Sequence, residues 1–264
     1  MNLKNYVLSL STKGKSCFSE DEALKITKLS RIALRSALRR LKKKQEITSP
    51  FRGFFIIIPP EYQSLQSLPP DQFMDDLMNY LNTPYYVGLL SAAQYYGAAH
   101  QKPQAFQVIT SKARRTIKVG RVKIAFTTKS DAEQSATCQF NTPRGFVRVA
   151  TQETIVLDLI VFPQKSGGIS AAFEIFSDLA THLNFENCTQ EIPRLKKAPH
   201  FQRLGYFFDL LGMEKHASLC ENELKKHPYV KKALLDPQES VIKGVLNDRW
   251  NLIINTELET EYDA

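Results

Sequence analysis

The chain has 264 residues, 43% of them hydrophobic, and a formal net charge of +8. That length suits two ordinary domains with a sizeable core. No run approaches the roughly twenty apolar residues of a membrane span, and four scattered cysteines without a C-x-x-C pair argue against a metal site and fit a reducing cytoplasm. The charge excess is local. Residues 1–70 hold 13 Lys+Arg against 5 Asp+Glu, which leaves 22 of each in residues 71–264. Basic charge confined to one end is an electrostatic footprint for phosphate. Met1 to Leu10 is too polar for a signal peptide, so the expected location is cytoplasmic.

Leu3 to Leu10 has helical spacing, with Leu3, Val7 and Leu10 on one side. A polar loop containing Gly14 follows. Ser19-Glu20-Asp21-Glu22 reads as a capping box opening a short helix to about Thr27. After a turn at Lys28-Leu29, Ser30 stands as N-cap of a second helix. Ser30 to Lys44, SRIALRSALRRLKKK, carries seven basic residues in fifteen and no acid. Leu34, Leu38 and Leu41, with Ala37 beside them, form its apolar stripe. The opposite arc holds Ile32, Arg35, Ser36, Arg39, Arg40 and Lys43, with Arg31 at the edge of the stripe.

Arginine forks onto guanine O6 and N7, serine meets donors or acceptors, and an apolar group touches a thymine methyl. A solvated basic face would explain such an arc in isolation. The flanks favour a reading helix. Two helices joined by a tight turn, the second one basic, form a helix-turn-helix. Glu46 to Thr48 then reads as a strand, Ser49 to Gly53 as a turn, and Phe54 to Ile58 as a second strand stopped by Pro59-Pro60. That hairpin is a wing, with Arg52 at its tip placed for a phosphate or the minor groove; a wing touching only protein is the alternative. The candidate DNA contacts are Ser30, Arg31, Ile32, Arg35, Ser36, Arg39, Arg40, Lys42, Lys43, Lys44 and Arg52, with Lys42 to Lys44 on phosphates.

Pro59 to Pro70 holds four prolines and reads as a linker. Beyond it the spacing predicts a helix over 72–81, a helix through the small residues Gly88, Ser91, Ala92 and Ala93, and a strand over 104–110. A hairpin follows over 114–127 through Gly120-Arg121, then a strand over 146–150 and a helix from Thr151 to about Val161. Further helices are expected over 169–183, 201–211 and 214–226, with a late strand at 252–254. The expected fold is mixed α+β: a winged helix-turn-helix over 1–60, a linker over 61–70, and a larger mixed-sheet domain with surrounding helices over 71–264.

Several segments resemble the AbiEi family, the antitoxins of AbiE-type, type IV toxin–antitoxin systems. They are Arg52-Gly53-Phe54 through Pro59-Pro60-Glu61-Tyr62, Tyr85 to Ala93, Gly97-Ala98-Ala99-His100-Gln101, Thr142-Pro143-Arg144-Gly145, and Glu153-Thr154 with Leu157-Asp158-Leu159. Tyr96 and Gln152 depart from the pattern, which often has His and Pro there. The resemblance implies an N-terminal domain that binds inverted repeats in double-stranded operator DNA and represses its own operon. It also implies a body that counteracts a nucleotidyltransferase toxin encoded next door, without a stable complex, in the setting of phage resistance. The expected state is a monomer in solution that pairs on DNA.

The candidates for chemistry in the body are His100, Glu153 and Asp158. Glu153 and Asp158 lie five apart on one predicted helix, about 140° from each other, and do not converge. Glu153 near a helix start complements the macrodipole. The phosphate-loop, zinc-protease and serine-hydrolase motifs are missing, and Gly167-Gly168 alone is a weak phosphate signal. The expectation is no enzyme, no cofactor and no metal. A nuclease or toxin-modifying activity, and a ligand-sensing regulator, stay open as alternatives.

Overall fold

A computed structural model describes residues 1–99, 103–239 and 244–258. In chain order the first elements are α1 (Leu3–Thr12), β1 (Cys17–Ser19), α2 (Glu20–Thr27), α3 (Arg31–Lys43), β2 (Ile47–Phe51), β3 (Phe54–Ile57), α4 (Met74–Tyr80) and β4 (Tyr85–Val87). Next come α5 (Leu89–Ala93), β5 (Phe106–Thr110), β6 (Ile117–Val119), β7 (Val122–Thr128), β8 (Thr137–Thr142) and β9 (Gly145–Ala150). The rest is α6 (Gln152–Val161), α7 (Ile169–Ala180), α8 (Phe185–Glu191), α9 (Ala198–Leu210), α10 (Glu214–Lys225), β10 (Ala233–Leu234), β11 (Val245–Asn247) and β12 (Leu252–Ile254). The fold is mixed α+β.

Contacts group the chain into two compact units. The first comprises Met1–Val87, Pro103–Gln134 and Cys138–Val149; the second comprises Gly88–Lys102, Ser135–Thr137 and Ala150–Ala264. The first unit opens with the winged helix-turn-helix. Its three-stranded sheet has the order β1-β3-β2, both pairings antiparallel. Leu3, Tyr6, Val7 and Leu10 of α1 meet Leu34, Leu38 and Leu41 of α3 in one core, closed by Phe18, Ile47, Phe55 and Ile57. Phe18 stacks on Phe55 with centroids 5.3 Å apart, and Tyr6 meets Phe18 edge-on. Burying one such leucine contributes about 2 kcal/mol by area removed from water.

The same unit contains a six-stranded mixed sheet of order β6-β7-β5-β4-β9-β8. β4 pairs antiparallel with β5 and parallel with β9, and β5 pairs parallel with β7. The proline-rich stretch read as a linker folds as short 3-10 turns, Pro60–Tyr62 and Pro70–Gln72, with Leu68 fully buried between them. It is fastened to the large sheet, where Arg121 N–H donates to Leu65 O at 2.9 Å.

The second unit is mainly helical. Phe173 and Phe176 of α7 pack against Phe207 and Phe208 of α9, with centroids 4.8–5.2 Å apart across the helix pair. Trp250 is fully buried and donates from Nε1 to Asp209 at 2.6 Å. A Cβ at Gly205 would collide with the Trp250 ring, so the side chain most permissive of close approach stands there. A small sheet of order β10-β12-β11 completes the unit.

Three expectations are corrected locally. Gly88, expected inside a helix, is instead its N-cap, and Tyr85 to Val87 before it form a buried strand, the chain turning at Gly88 and at Leu89 (φ 54°), where α5 begins. Beyond the wing, the strands form two sheets rather than one, and β1, β8, β10 and β11 are strands of two to six residues too short for a period to register. α8, with a single buried apolar position at Cys188, has no stripe to recognise.

Candidate nucleic-acid interface

Ser30 caps α3: its hydroxyl accepts Ala33 N–H at 3.2 Å. From that cap the 3.6-residue period turns Leu34, Leu38 and Leu41 inward and everything opposite outward. Ser30, Arg31, Ile32, Arg35, Ser36, Arg39, Arg40, Lys42, Lys43 and Lys44 are all exposed, Ile32 by 84%. Arg40, Lys42 and Lys43 in the last turn also complement the helix dipole. Among the described residues Arg31, Arg39, Arg40, Lys43, Lys44 and Arg52 have no ion-pair partner. Two members of the set are engaged. Arg35 Nε donates to Glu20 Oε1 at 3.2 Å. Lys42 lies 5.1 Å from the Phe55 ring centroid, and partial burial lowers its ammonium pKa.

The turn before α3 is made by Lys28, whose left-handed conformation (φ 56°) ends α2. The capping box is present in full: Glu22 N–H donates to the Ser19 hydroxyl at 3.1 Å, and Ser19 N–H donates to the Glu22 carboxylate at 2.6 Å. The wing is gripped at its turn. Glu20 N–H donates to Gly53 O at 2.8 Å, and the Tyr80 hydroxyl donates to Arg52 O at 3.1 Å. Tyr80 also packs between Phe51 and Phe54, at 6.5 and 5.3 Å. Gly53 has φ +79°, and a Cβ there would strike the Tyr80 oxygen. The grip on the backbone leaves the Arg52 side chain exposed.

A second set of basic side chains escaped the sequence reading. On the β6–β7 hairpin, Lys118 and Lys123 are directly opposed across the antiparallel pair, both exposed. Like charges in that register repel. Arg121 occupies the turn, and Lys112 and Arg115 are exposed just before it. β6 is the edge strand of the large sheet and lies beside β2, the strand that leads into the wing. The signal was available: residues 112–123 hold six basic residues and no acid. It vanished in a total taken over 71–264. Counted by compact unit, the first holds 22 basic and 10 acidic residues, net +12, and the second holds 13 and 17, net −4, together the +8 of the chain.

In the second unit Glu153 and Asp158 are interior groups. Glu153 is buried on α6 and accepts from Asn184 N–H at 3.1 Å and Asn187 Nδ2 at 3.4 Å, which ties down the start of α8. Asp158 is fully buried on the same helix. The Tyr96 hydroxyl donates to Ala150 O at 2.9 Å. His100 lies outside the described residues. Among the described residues no three His, Cys, Asp or Glu side chains are grouped to hold a metal ion, and no helix is long and apolar enough to cross a membrane. The four cysteines are free thiols.

The fold and this face define a winged helix-turn-helix protein with a mixed-sheet and helical body. Residues 86–210 match the AbiEi antitoxin C-terminal domain, so that stretch of the chain is similar to an antitoxin domain of toxin–antitoxin systems. The crystal structure of the RV2827C protein from Mycobacterium tuberculosis is similar, with a TM-score of 0.68 at 15% identity over 95% of this chain and 90% of that one. At that identity the likeness concerns the fold. A search of curated proteins gave no match.

Proposed function

We propose that the chain is a sequence-specific double-stranded DNA-binding repressor of its own operon, and the type IV antitoxin of a nucleotidyltransferase toxin encoded beside it. Residues 1–60 are the reading head, 61–70 the connection, and 71–264 the antitoxin body, which acts in the cytoplasm and without an enzymatic step. The observation that carries the reading is the outward face of α3. It has four guanidiniums, Ser36 and exposed Ile32 on a capped helix followed directly by a wing. Arg31, Arg35, Ser36 and Arg39 face base edges in the major groove, Ile32 meets a thymine methyl, and Lys42 to Lys44 and Arg52 meet phosphates. The hairpin lysines and Arg121 extend the phosphate contact.

The test is titration of the promoter fragment upstream of the chain's own gene, at several salt concentrations, beside a scrambled duplex. Each phosphate contact should contribute about 0.9 to the slope of log K against log salt. Equal affinity for both duplexes at every salt concentration sinks the repressor half. For the antitoxin half, co-expression with the neighbouring nucleotidyltransferase should restore growth while co-purification recovers no stable complex. Growth arrest unrelieved by the full chain sinks it.

A further inference from the structure

Among the described residues Arg35 is the guanidinium of the outward α3 face with an acidic partner. The contact runs from Nε to Glu20 Oε1 at 3.2 Å, and the Arg35 side chain is still 60% exposed. Engaging Nε leaves the terminal Nη1 and Nη2 pair unoccupied. That end of the fork matches O6 and N7 of a guanine. Glu20 is itself held. It is the first residue of α2, directly behind the Ser19–Glu22 capping box, and its N–H is bonded to Gly53 O of the wing. Its side chain is only 22% exposed. One residue is thus tied to the wing by its backbone and to the reading helix by its carboxylate.

An ion pair this exposed adds little to stability. Its larger effect is on freedom: a long side chain already oriented loses fewer rotamers when a ligand arrives. We propose that Glu20 is a positioning residue for base recognition. It holds Arg35 end-on to a guanine in the major groove and sharpens discrimination between sequences, while its negative charge weakens attraction to any phosphate backbone. The two effects have opposite signs on specific and non-specific DNA. The inference rests on the DNA-reading role of α3 proposed above.

The experiment uses the full chain. A duplex is enriched from a random-sequence pool, then titrated beside a scrambled duplex of equal length against the parent, Glu20→Ala, Glu20→Gln, Arg35→Ala and the double alanine variant. Glu20→Ala should bind the scrambled duplex about twofold more tightly and the enriched one about fivefold more weakly, a tenfold loss of selectivity. Glu20→Gln keeps an acceptor for Nε and should retain most of the selectivity. In the Arg35→Ala background, Glu20→Ala should leave the ratio unchanged. Should Glu20→Ala fail to fold, Glu20→Asp, one methylene short of the contact, takes its place with a smaller loss. Equal weakening on both duplexes, or the same loss of selectivity with Arg35 absent, makes Glu20 merely structural and overturns the proposal. If no duplex is enriched, or Arg35→Ala leaves selectivity intact, the reading of α3 fails first and takes the proposal with it.

Discussion

The two units handle charge in opposite ways. In the second, several cations are neutralised at home: Arg249 alone meets Asp209, Glu214 and Glu221 at 2.7–3.4 Å, Lys225 pairs with Glu221, and Lys226 with Glu223. In the first, the cations of α3 and the β6–β7 hairpin are displayed, and two lysines even face each other across a strand pair. Self-neutralised charge carries little self-repulsion. Displayed charge of one sign costs self-repulsion and is tolerated where an anion relieves it. The first unit displays charge of one sign, and the second holds Arg249, Lys225 and Lys226 in pairs of its own.

The largest expected effect is on the first unit's core. Leu34→Ala should destabilise the winged helix by about 2–5 kcal/mol, because Leu34 is fully buried under α1 and the wing sheet. Chemical denaturation followed by DNA titration would show stability and binding lost together. Arg39→Ala should leave stability within about 0.5 kcal/mol and cost about 1–3 kcal/mol of operator affinity; an unchanged affinity would remove Arg39 from the base-reading set. Gly205→Ala, which drives a methyl into the buried Trp250 ring, should cost the second unit about 1–3 kcal/mol. DNA affinity should survive it, and a variant that lost binding would show the units to be energetically inseparable.

Lys118→Ala should lower the salt slope by about 0.9 if that lysine meets a phosphate, while relieving repulsion from Lys123. The smallest effect concerns protons. Burial, aided by Arg203 and Lys197, lowers the His200 pKa from 6.5 to about 4. The folded state therefore binds fewer protons than the unfolded state between those values, and stability falls as pH drops through that window. Thermal melts from pH 7 to pH 5 should show the decline, and His200→Leu should flatten it.

How much was legible in the chain depended on element length and on where the counting stopped. α3 could be read almost to the residue because it has a cap, three leucines in period and an acid-free face. The capping box at Ser19 was equally open, being four adjacent residues with a local mechanism. β1 and β8 were not, since their three and six residues carry no clean alternation and their pairing is set by distant strands. Glu20 at the Arg35 guanidinium was invisible for another reason: the two are fifteen positions apart and meet only when α2 and α3 are folded. The basic hairpin was hidden by arithmetic, because acids belonging to the helical unit cancelled it.

The Tyr80 clasp on the wing has a practical corollary. The ring and hydroxyl that steady Phe51, Arg52 and Phe54 come from α4, twenty residues past the point where the reading head would be cut on sequence grounds. A fragment ending near residue 60 would keep α3 and its core but release the β2–β3 turn from one of its two anchors. Anyone dissecting this chain by deletion should carry the fragment through Leu81, or risk mistaking a loosened hairpin for a missing contact.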